Sequence, residues 1–222
     1  MNTVVLLRHG QSVANVGGRS DSLAGILLTA QGLAQAQRLA QWWPRAPDAI
    51  EASTFVRTQH TAQPTAERFG MQVTIADDLQ EFTYLSPVRC ANTRASERQP
   101  MVATYWRRVD PDHREADGAE SFRDLVARVD RTLARWELGG EGLRAVFSHG
   151  QWMQCVAWWL ARRAQRTVAS LTQGDMVSFR GFSAANPVEN TARMTLQRRP
   201  SGYAVESLLC DHLPDGWRSY VR

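Results

Sequence analysis

Lysine is absent from the 222-residue chain, so all 26 basic residues are arginine. This absence excludes Schiff-base catalysis by a lysine and the lysine of a phosphate-binding P-loop. It leaves arginine as the only strong cation, and the planar guanidinium fork suits phosphate oxygens. The net charge of +4 permits nucleic-acid binding. However, the sequence has no basic helix or mixed basic and aromatic motif, so we expect no nucleic-acid partner.

The chain is also poor in cysteine and has no long apolar run. Its three cysteines are widely spaced and predict neither a disulfide framework nor a zinc site. No segment is long enough to span a bilayer, and the amino terminus has no basic region of the kind that begins a signal peptide. We therefore expect a cytoplasmic protein that has no membrane partner.

Hydrophobic residues make up 43% of the chain and charged residues 22%, which is ordinary for a globular protein. Short apolar runs predict strands over residues 4–7, 48–52, 72–76, 143–147, 176–182, 192–198 and 203–209. Helical periodicity predicts amphipathic helices with faces at Leu33, Ala36, Ala40 and Trp43, over 55–69, over 122–136 and over 153–160. Since no repeat or low-complexity linker interrupts the pattern, we expect a single domain over 1–222.

Two segments depart from this regular pattern. Residues 12–25 are polar and contain glycine, which predicts a loop. Residues 85–116 are rich in arginine and hold three prolines, so we expect an insertion of short helices, packed through Tyr105 and Trp106. We expect one or two of its arginines at the mouth of the site, and specificity to come from these two segments.

Two of the predicted strands end in the same way. Residues 4–7 run into Arg8-His9-Gly10, and residues 143–147 run into Ser148-His149-Gly150. Open α/β sheets place their ligands at the carboxyl ends of strands, where a glycine lets the backbone approach a ligand closely. If the two strands are parallel neighbours, their histidines converge at one edge of the sheet.

The predicted strand over 48–52 leads into a helix that carries Arg57. The carboxylate of Glu81 follows the predicted strand over 72–76. A neutral imidazole is a good nucleophile toward phosphorus, and arginines can neutralise the phosphoryl oxygens. The arginines also disfavour an imidazolium, which keeps His9 unprotonated. Glu81 could protonate the leaving alkoxide and later deprotonate water. Asp77, Asp78 and Glu120 remain alternatives for this acid.

Four ordered motifs make the chain resemble a known family: Arg8-His9-Gly10, Ser53-x-x-x-Arg57-Thr58-x-x-x-Ala62, Gly118-Ala119-Glu120-Ser121 and Ser148-His149-Gly150. Together they resemble the histidine phosphatase superfamily and its phosphoglycerate-mutase-like branch. The resemblance runs from residue 3 to about residue 160. It implies a three-layer α/β/α sandwich with a mostly parallel central sheet and a helical insertion over about 85–116.

The same resemblance implies the roles of individual residues. His9 would be the phosphorylated nucleophile and Glu81 the proton donor. The phosphoryl group would be held by Arg8, Asn15, Arg57, His149 and Gly150. No metal and no organic cofactor are implied, and the expected partner is a small phosphorylated substrate. A homodimer is compatible with the sequence, which leaves the oligomeric state open.

The sequence departs from the family in its substrate-facing parts. Mutases usually carry Glu-Arg-His-Tyr-Gly around the acid, where this chain has Glu81-Phe82-Thr83-Tyr84-Leu85. We therefore predict a phosphatase that acts on phosphomonoesters through a phosphohistidine. A phosphoglycerate-type mutase is the first alternative, and an inactive phosphate-binding protein is the second.

Overall fold

The computed structural model describes residues 2–214 and 216–219, and its framework is a six-stranded sheet. The strands are β1 (Asn2–Arg8), β2 (Ala49–Ser53), β3 (Val73–Ala76), β4 (Gly142–Ser148), β5 (Arg193–Arg199) and β6 (Gly202–Leu209). They lie in the order β3-β2-β4-β1-β5-β6. All pairs among the first four strands are parallel, whereas β5 and β6 join antiparallel at one edge. The prediction of a mostly parallel sheet is confirmed.

Helices cover both faces of this sheet. They are α1 (Ala30–Trp42), α2 (Val56–Phe69), α3 (Pro87–Cys90), α4 (Ala95–Arg108), α5 (Phe122–Leu138), α6 (Gly150–Leu160) and α7 (Gln173–Ala185). Successive residues of β1 point to opposite faces. Val5 and Leu7 therefore pack with α1 and α2, while Val4 and Leu6 pack with α5, α6 and α7. These two cores give the predicted α/β/α sandwich. Within the described residues, no helix is long and apolar enough to cross a membrane.

The two strands that carry the histidine motifs are direct neighbours. β1 and β4 pair in parallel over their whole length, with Leu7 opposite Phe147 and Arg8 opposite Ser148. The backbone N–H of His9 extends the ladder by donating to the carbonyl of Ser148 at 3.1 Å. Both strands lie in the centre of the sheet and have apolar residues on both faces, as buried parallel strands require. The expected convergence of their carboxyl ends is confirmed.

The 85–116 segment is a packed helical insertion, as predicted. Tyr105 of α4 is almost fully buried, and its ring lies 6.2 Å from that of Phe82 and 5.3 Å from that of Trp106. At 14 residues, α4 is longer than the short helices that the prolines predicted. Pro100 lies inside α4, in its second turn, so it did not end the helix.

Residues 176–182, predicted as a strand, belong to α7 instead. Thr172 caps this helix: its hydroxyl accepts from the N–H of Asp175 at 3.3 Å, and the Asp175 carboxylate accepts from the N–H of Thr172 at 2.9 Å. Met176 and Phe179 are buried whereas Val177 is 55% exposed, which is helical spacing. The strand prediction was wrong because the apolar run was counted without the capping box that precedes it.

One smaller expectation also needs correction, and one holds with an added detail. Leu33 was assigned to the buried face of α1, but it is 50% exposed, and Gln35 and Leu39 are buried in its place. The 12–25 loop contains one turn of 3₁₀ helix, Val13–Val16, which ends at Gly17 in the left-handed conformation. Outside this turn the segment is irregular, so the prediction of a loop is confirmed.

Candidate active site

His9 follows the last residue of β1 and is buried at the carboxyl end of this central strand. Its Nδ1 lies 2.7 Å from the carbonyl oxygen of Gly10. Because a carbonyl can only accept, Nδ1 carries the proton and Nε2 keeps a free lone pair. Burial lowers the pKa of His9 well below its usual 6.5, and the positive charges of Arg57 and Arg8 lower it further. His9 is therefore a neutral imidazole with its basic nitrogen available.

Gly10 is required by the approach of α1. A Cβ at position 10 would lie 2.5 Å from the carbonyl oxygen of Gly32, which is backbone and cannot move aside easily. The N–H of Gly10 donates to the hydroxyl of Thr61 at 3.0 Å, and the N–H of Gln11 donates to Gln35 at 2.7 Å. The segment after β1 is thus fixed against both α1 and α2.

His149 is fully buried at the N-cap of α6, with its ring 5.3 Å from that of His9. Its Nδ1 lies 3.1 Å from Nη2 of Arg57, which can only donate, so Nδ1 accepts. Its Nε2 then donates to the hydroxyl of Ser53 at 2.8 Å. Ser53 in turn lies 2.8 Å from the hydroxyl of Thr58, which donates to a backbone carbonyl. Burial and the charge of Arg57 keep the pKa of His149 well below 6.5, consistent with this neutral tautomer.

Two buried arginines complete the positive side of the site. Arg8 donates from Nη1 to the carbonyl of Val188 at 2.5 Å, and Arg57 donates from Nη1 to the carbonyl of Leu23 at 2.8 Å. Burial lowers the pKa of each to about 10, against the opposing effect of Glu81, so both remain charged at neutral pH. Nε of Arg8 is buried and has no hydrogen-bond partner within the described residues. Buried donors in folded proteins almost always have a hydrogen-bond partner, and a bound anion could accept this bond.

Gly150 lies directly against this unpaired donor. A Cβ at position 150 would be 3.5 Å from Nε of Arg8, an ordinary contact distance. Gly150 is also the first residue of α6, so the positive end of the helix dipole faces the same space. An anion that accepts a hydrogen bond from Nε of Arg8 would therefore also lie near the start of α6.

Glu81 reaches the same end of α6 from the segment after β3. One of its carboxylate oxygens accepts from the N–H groups of Phe82 at 2.9 Å and Trp152 at 3.0 Å, and the other accepts from Gln151 at 3.3 Å. The carboxylate therefore satisfies N–H groups in the first turn of α6 that no helical carbonyl reaches. It thus binds the helix that His149 caps, and its charge acts on both Arg8 and Arg57.

Of the competing acids, two are held by ion pairs on α5. Glu120 forms a two-pronged pair with Arg128, at 2.9 and 2.8 Å. Asp78 accepts from Arg135 and from the hydroxyl of Thr132, both at 3.0 Å. No contact in the described residues brings either carboxylate to the histidines, whereas Glu81 contacts the helix that His149 caps.

Asn15 is connected to the backbone of His9 by Asn190, a residue that the sequence analysis did not single out. The Asn15 side-chain oxygen accepts from the side-chain nitrogen of Asn190 at 3.1 Å, and the same nitrogen donates to the carbonyl of His9 at 3.0 Å. Asn190 is fully buried and also accepts from the hydroxyl of Ser219 at 2.9 Å. An asparagine before a strand is typical of a turn, so no sequence signal marked it.

A cavity of about 740 Å³ opens beside these residues. Phe55, in its wall, stacks edge-on against His149 at 5.1 Å, and Gln80 and Thr83 flank Glu81. Both segments expected to set specificity line it: Ser22, Leu23 and Ala24 from the 12–25 loop, and Pro87, Arg114 and Ala116 from the insertion. Of the arginines of the insertion, Arg114 lies in the wall, as expected for one or two of them.

The described residues offer no group of three or more histidine, cysteine, aspartate or glutamate side chains that could hold a metal ion. The positive charge beside His9 comes instead from Arg8 and Arg57. A buried histidine pair and two buried arginines, at the carboxyl edge of a parallel sheet, define a site for a phosphate-like anion.

Sequence comparison identifies the class of protein to which such a site belongs. Residues 4–185 match the profile of the histidine phosphatase superfamily (branch 1), and the chain belongs to this superfamily. The resemblance inferred from the four motifs is therefore confirmed.

Individual relatives differ in activity. The adenosylcobalamin/alpha-ribazole phosphatase of Salmonella typhimurium is 28% identical over 135 residues, which cover 59% of this chain and 64% of that protein. A 2,3-bisphosphoglycerate-dependent phosphoglycerate mutase of Azorhizobium caulinodans is 34% identical over 134 residues, which cover 57% of this chain and 64% of that protein. This chain thus spans less than two thirds of each relative, and the relatives include both phosphatases and a mutase.

Solved structures share the fold over nearly the whole chain. Phosphoserine phosphatase from Entamoeba histolytica, in complex with 3-phosphoglyceric acid, superposes with a TM-score of 0.74 at 19% identity, covering 96% of this chain and 100% of that one. The alpha-ribazole phosphatase from Shigella flexneri gives a TM-score of 0.70 at 22% identity, covering 93% and 95%. At these identities the likeness establishes the fold.

Proposed function

We propose that this protein is a phosphatase that hydrolyses phosphomonoesters through a phosphohistidine on Nε2 of His9. The observation that carries the proposal is the hydrogen bond from Nδ1 of His9 to the carbonyl of Gly10. It leaves Nε2 as the nucleophilic atom, and the lowered pKa keeps that atom unprotonated at neutral pH. The carbonyl also stabilises the positive charge that develops on the ring as the N–P bond forms.

The phosphoryl group would lie between Arg8, Arg57 and the start of α6. The unpaired Nε of Arg8 would donate to one phosphoryl oxygen. Arg57 would turn its Nη2 from His149 and donate to another phosphoryl oxygen. Asn15 and Gly150 lie close enough to the same segment to add polar contacts. Charge neutralisation by these groups does not require a metal ion.

Glu81 would act as an acid in the first half of the reaction and as a base in the second half. In the first half, the N–P bond forms, the P–O bond breaks, and protonated Glu81 gives its proton to the leaving alkoxide. In the second half, the Glu81 carboxylate takes a proton from water as that water attacks phosphorus. The N–P bond then breaks, which releases inorganic phosphate and returns neutral His9. The position of Glu81 at the start of α6 supports this role.

The test of the nucleophile compares two histidine variants. His9→Ala should lose turnover by several orders of magnitude and form no phosphoenzyme. His60→Ala, which removes an exposed imidazole on α2, is the matched control and should behave as the wild type. After rapid quench with labelled substrate, the wild type should yield an acid-labile, base-stable phosphoprotein. Activity of His9→Ala within about tenfold of the wild type would exclude the covalent mechanism.

A phosphoglycerate mutase is the second candidate, because a relative with that activity is 34% identical over part of the chain. With 3-phosphoglycerate and a bisphosphoglycerate primer, we expect release of inorganic phosphate at most. Rapid exchange between the 2- and 3-phospho isomers would identify a mutase and contradict the phosphatase proposal.

A further inference from the structure

The cavity beside the histidines holds two cations, and both are already paired. Arg128 donates to Glu120 through two bonds, and its Nη1 also donates to the carbonyls of Asp78 at 3.0 Å and Gln80 at 2.8 Å. Arg114 donates to both oxygens of Asp124 at 2.9 Å. Neither guanidinium therefore presents a free fork to a ligand.

The carboxylates of the same wall outnumber its cations. Glu120, Asp124 and Asp117 face two arginines, so the lining carries one net negative charge. Asp117 is exposed at the rim and forms no ion pair with any described residue. Among the described residues of this lining, an anionic group would meet an unpaired carboxylate and no unpaired cation.

Releasing an arginine would not correct this imbalance. If Arg114 turned toward a ligand carboxylate, Asp124 would keep only its bonds from Ser121, and its charge would remain in the wall. Releasing Arg128 would leave Glu120, which is mostly buried, without its counter-ion. A buried carboxylate without a partner is costly. Whichever arginine turned to the ligand carboxylate, a carboxylate of the protein would lose its partner.

The rest of the wall is apolar or neutral. Leu23, Ala24, Phe55, Pro87 and Ala119 supply apolar surface, and the carboxylates can accept hydrogen bonds from hydroxyl or amino groups. At about 740 Å³, the cavity has the size of pockets that enclose a molecule well beyond three carbons. Phe55 contacts His149 and Arg57 from the wall of the cavity, so the cavity lies next to the phosphoryl site.

We propose that this cavity binds the alcohol part of the phosphomonoester, and that it selects alcohols that are uncharged or cationic and excludes those that carry a carboxylate. This inference rests on the proposed phosphatase function. It assigns the substrate class by charge: phosphates of sugars, polyols or amino alcohols, in preference to phosphates of hydroxy acids or hydroxy amino acids.

Two matched pairs of ligands test the inference. Glycerol 3-phosphate and 3-phosphoglycerate differ by a hydroxymethyl group against a carboxylate, and O-phosphoethanolamine and O-phosphoserine differ by one carboxylate. Dissociation constants measured by calorimetry on His9→Ala, which keeps both arginines, report binding without turnover. We expect the member without the carboxylate to bind at least about tenfold more tightly, because the carboxylate has no free counter-ion. Equal affinity, or tighter binding of the carboxylate member, would overturn the inference.

A charge variant tests the cause of this selectivity. In the His9→Ala background, Asp117→Asn should reduce the preference for glycerol 3-phosphate over 3-phosphoglycerate by about two- to threefold, the effect of one partly solvated charge. Glu67→Gln removes the same charge from the end of α2, which lines no part of this cavity, and should leave the ratio unchanged. An unchanged ratio in Asp117→Asn would show that the charge of the lining does not select the alcohol.

Different results would contradict the proposed phosphatase function and the inference about the cavity. Wild-type protein that neither hydrolyses p-nitrophenyl phosphate nor forms a phosphoenzyme would contradict the proposed function, while the affinity ratios would still decide the inference about the cavity. Protein that turns over p-nitrophenyl phosphate but binds both members of each pair equally would contradict only the inference about the cavity.

Discussion

Replacing Glu81 by glutamine separates its proposed chemical role from its structural one. Glutamine has nearly the same shape, but it has no proton to give at neutral pH and keeps only one accepting oxygen. The Glu81 carboxylate accepts three backbone N–H bonds, from Phe82, Gln151 and Trp152. In Glu81→Gln, the amide NH₂ would face one or two of these donors, so capping of α6 would be partly lost.

The structural cost follows from the lost capping. Removing an N-cap acceptor costs about 1 kcal/mol, within a range of 0.5–2. The variant also loses the negative charge that offsets the repulsion between Arg8 and Arg57. We therefore expect the free energy of unfolding of Glu81→Gln to fall by about 1–2 kcal/mol, which lowers Tm by a few degrees in a chain of this length. The protein should stay folded at 25 °C, so kinetics can be measured.

The chemical cost should depend on the leaving group. An alkyl alkoxide needs a proton in the transition state, whereas p-nitrophenolate is a stable anion that needs far less help. Single-turnover rapid quench should show phosphoryl transfer from glycerol 3-phosphate slowed by about 10²–10⁴-fold. Transfer from p-nitrophenyl phosphate should slow much less, and phosphoenzyme should accumulate because water attack also loses its base.

Glu67→Gln makes the same substitution on the exposed end of α2 and should change neither rate. If Glu81→Gln slows both substrates equally, Glu81 is a capping residue only, and another acid protonates the leaving group. Glu120→Gln would then be the next variant, although its ion pair with Arg128 makes a loss of stability part of the expected result.

Three further predictions concern the metal, acid stability and the position of His9. Activity should survive EDTA, because arginines supply the charge that a metal ion supplies elsewhere; loss on chelation that a divalent ion restores would contradict this. The low pKa values of His9 and His149 should make stability fall by about 1 kcal/mol per pH unit for each as the pH drops below about 6.5, since only the unfolded chain takes up these protons there; an unchanged urea midpoint between pH 7 and 5.5 would refute it. Asn190→Ala, which removes a buried bond to the carbonyl of His9, should lower kcat/KM at least about tenfold and Tm by several degrees, whereas full activity would show that the bond does not position His9.

The elements predicted best were those whose signal is local. The apolar run of β1 and the heptad-like face of α5 each contain enough periodic residues to fix the element type. The shared His-Gly endings at His9-Gly10 and His149-Gly150 indicated that the two histidines would converge if β1 and β4 were parallel neighbours, and their pairing meets that condition. Residues 176–182 failed because both a short strand and one face of a helix fit a short apolar run, and only packing decides between them.

The sequence favoured Glu81 as the acid but left Asp77, Asp78 and Glu120 as alternatives. Asp77, Asp78 and Glu81 lie close together in the chain and Glu120 belongs to one of the four motifs, so spacing alone does not rank them. The tertiary structure separates them through their partners. Arg135, 57 residues away, pairs with Asp78, and the first turn of α6, 71 residues away, receives Glu81. Glu120 pairs with Arg128 of α5. Asn190 was missed for the same reason, since its partner His9 is 181 residues away in the chain.

The sequence by itself determined the superfamily, the strands that carry the two histidines, and the absence of lysine that leaves phosphate to arginine, because these depend on residue type and short spacing. Only the tertiary structure decided the tautomers of His9 and His149, which follow from a carbonyl and a guanidinium that folding brings to the rings. It also decided the charge of the cavity. Whether an arginine is free or paired depends on a carboxylate elsewhere in the chain, and composition alone does not show that pairing.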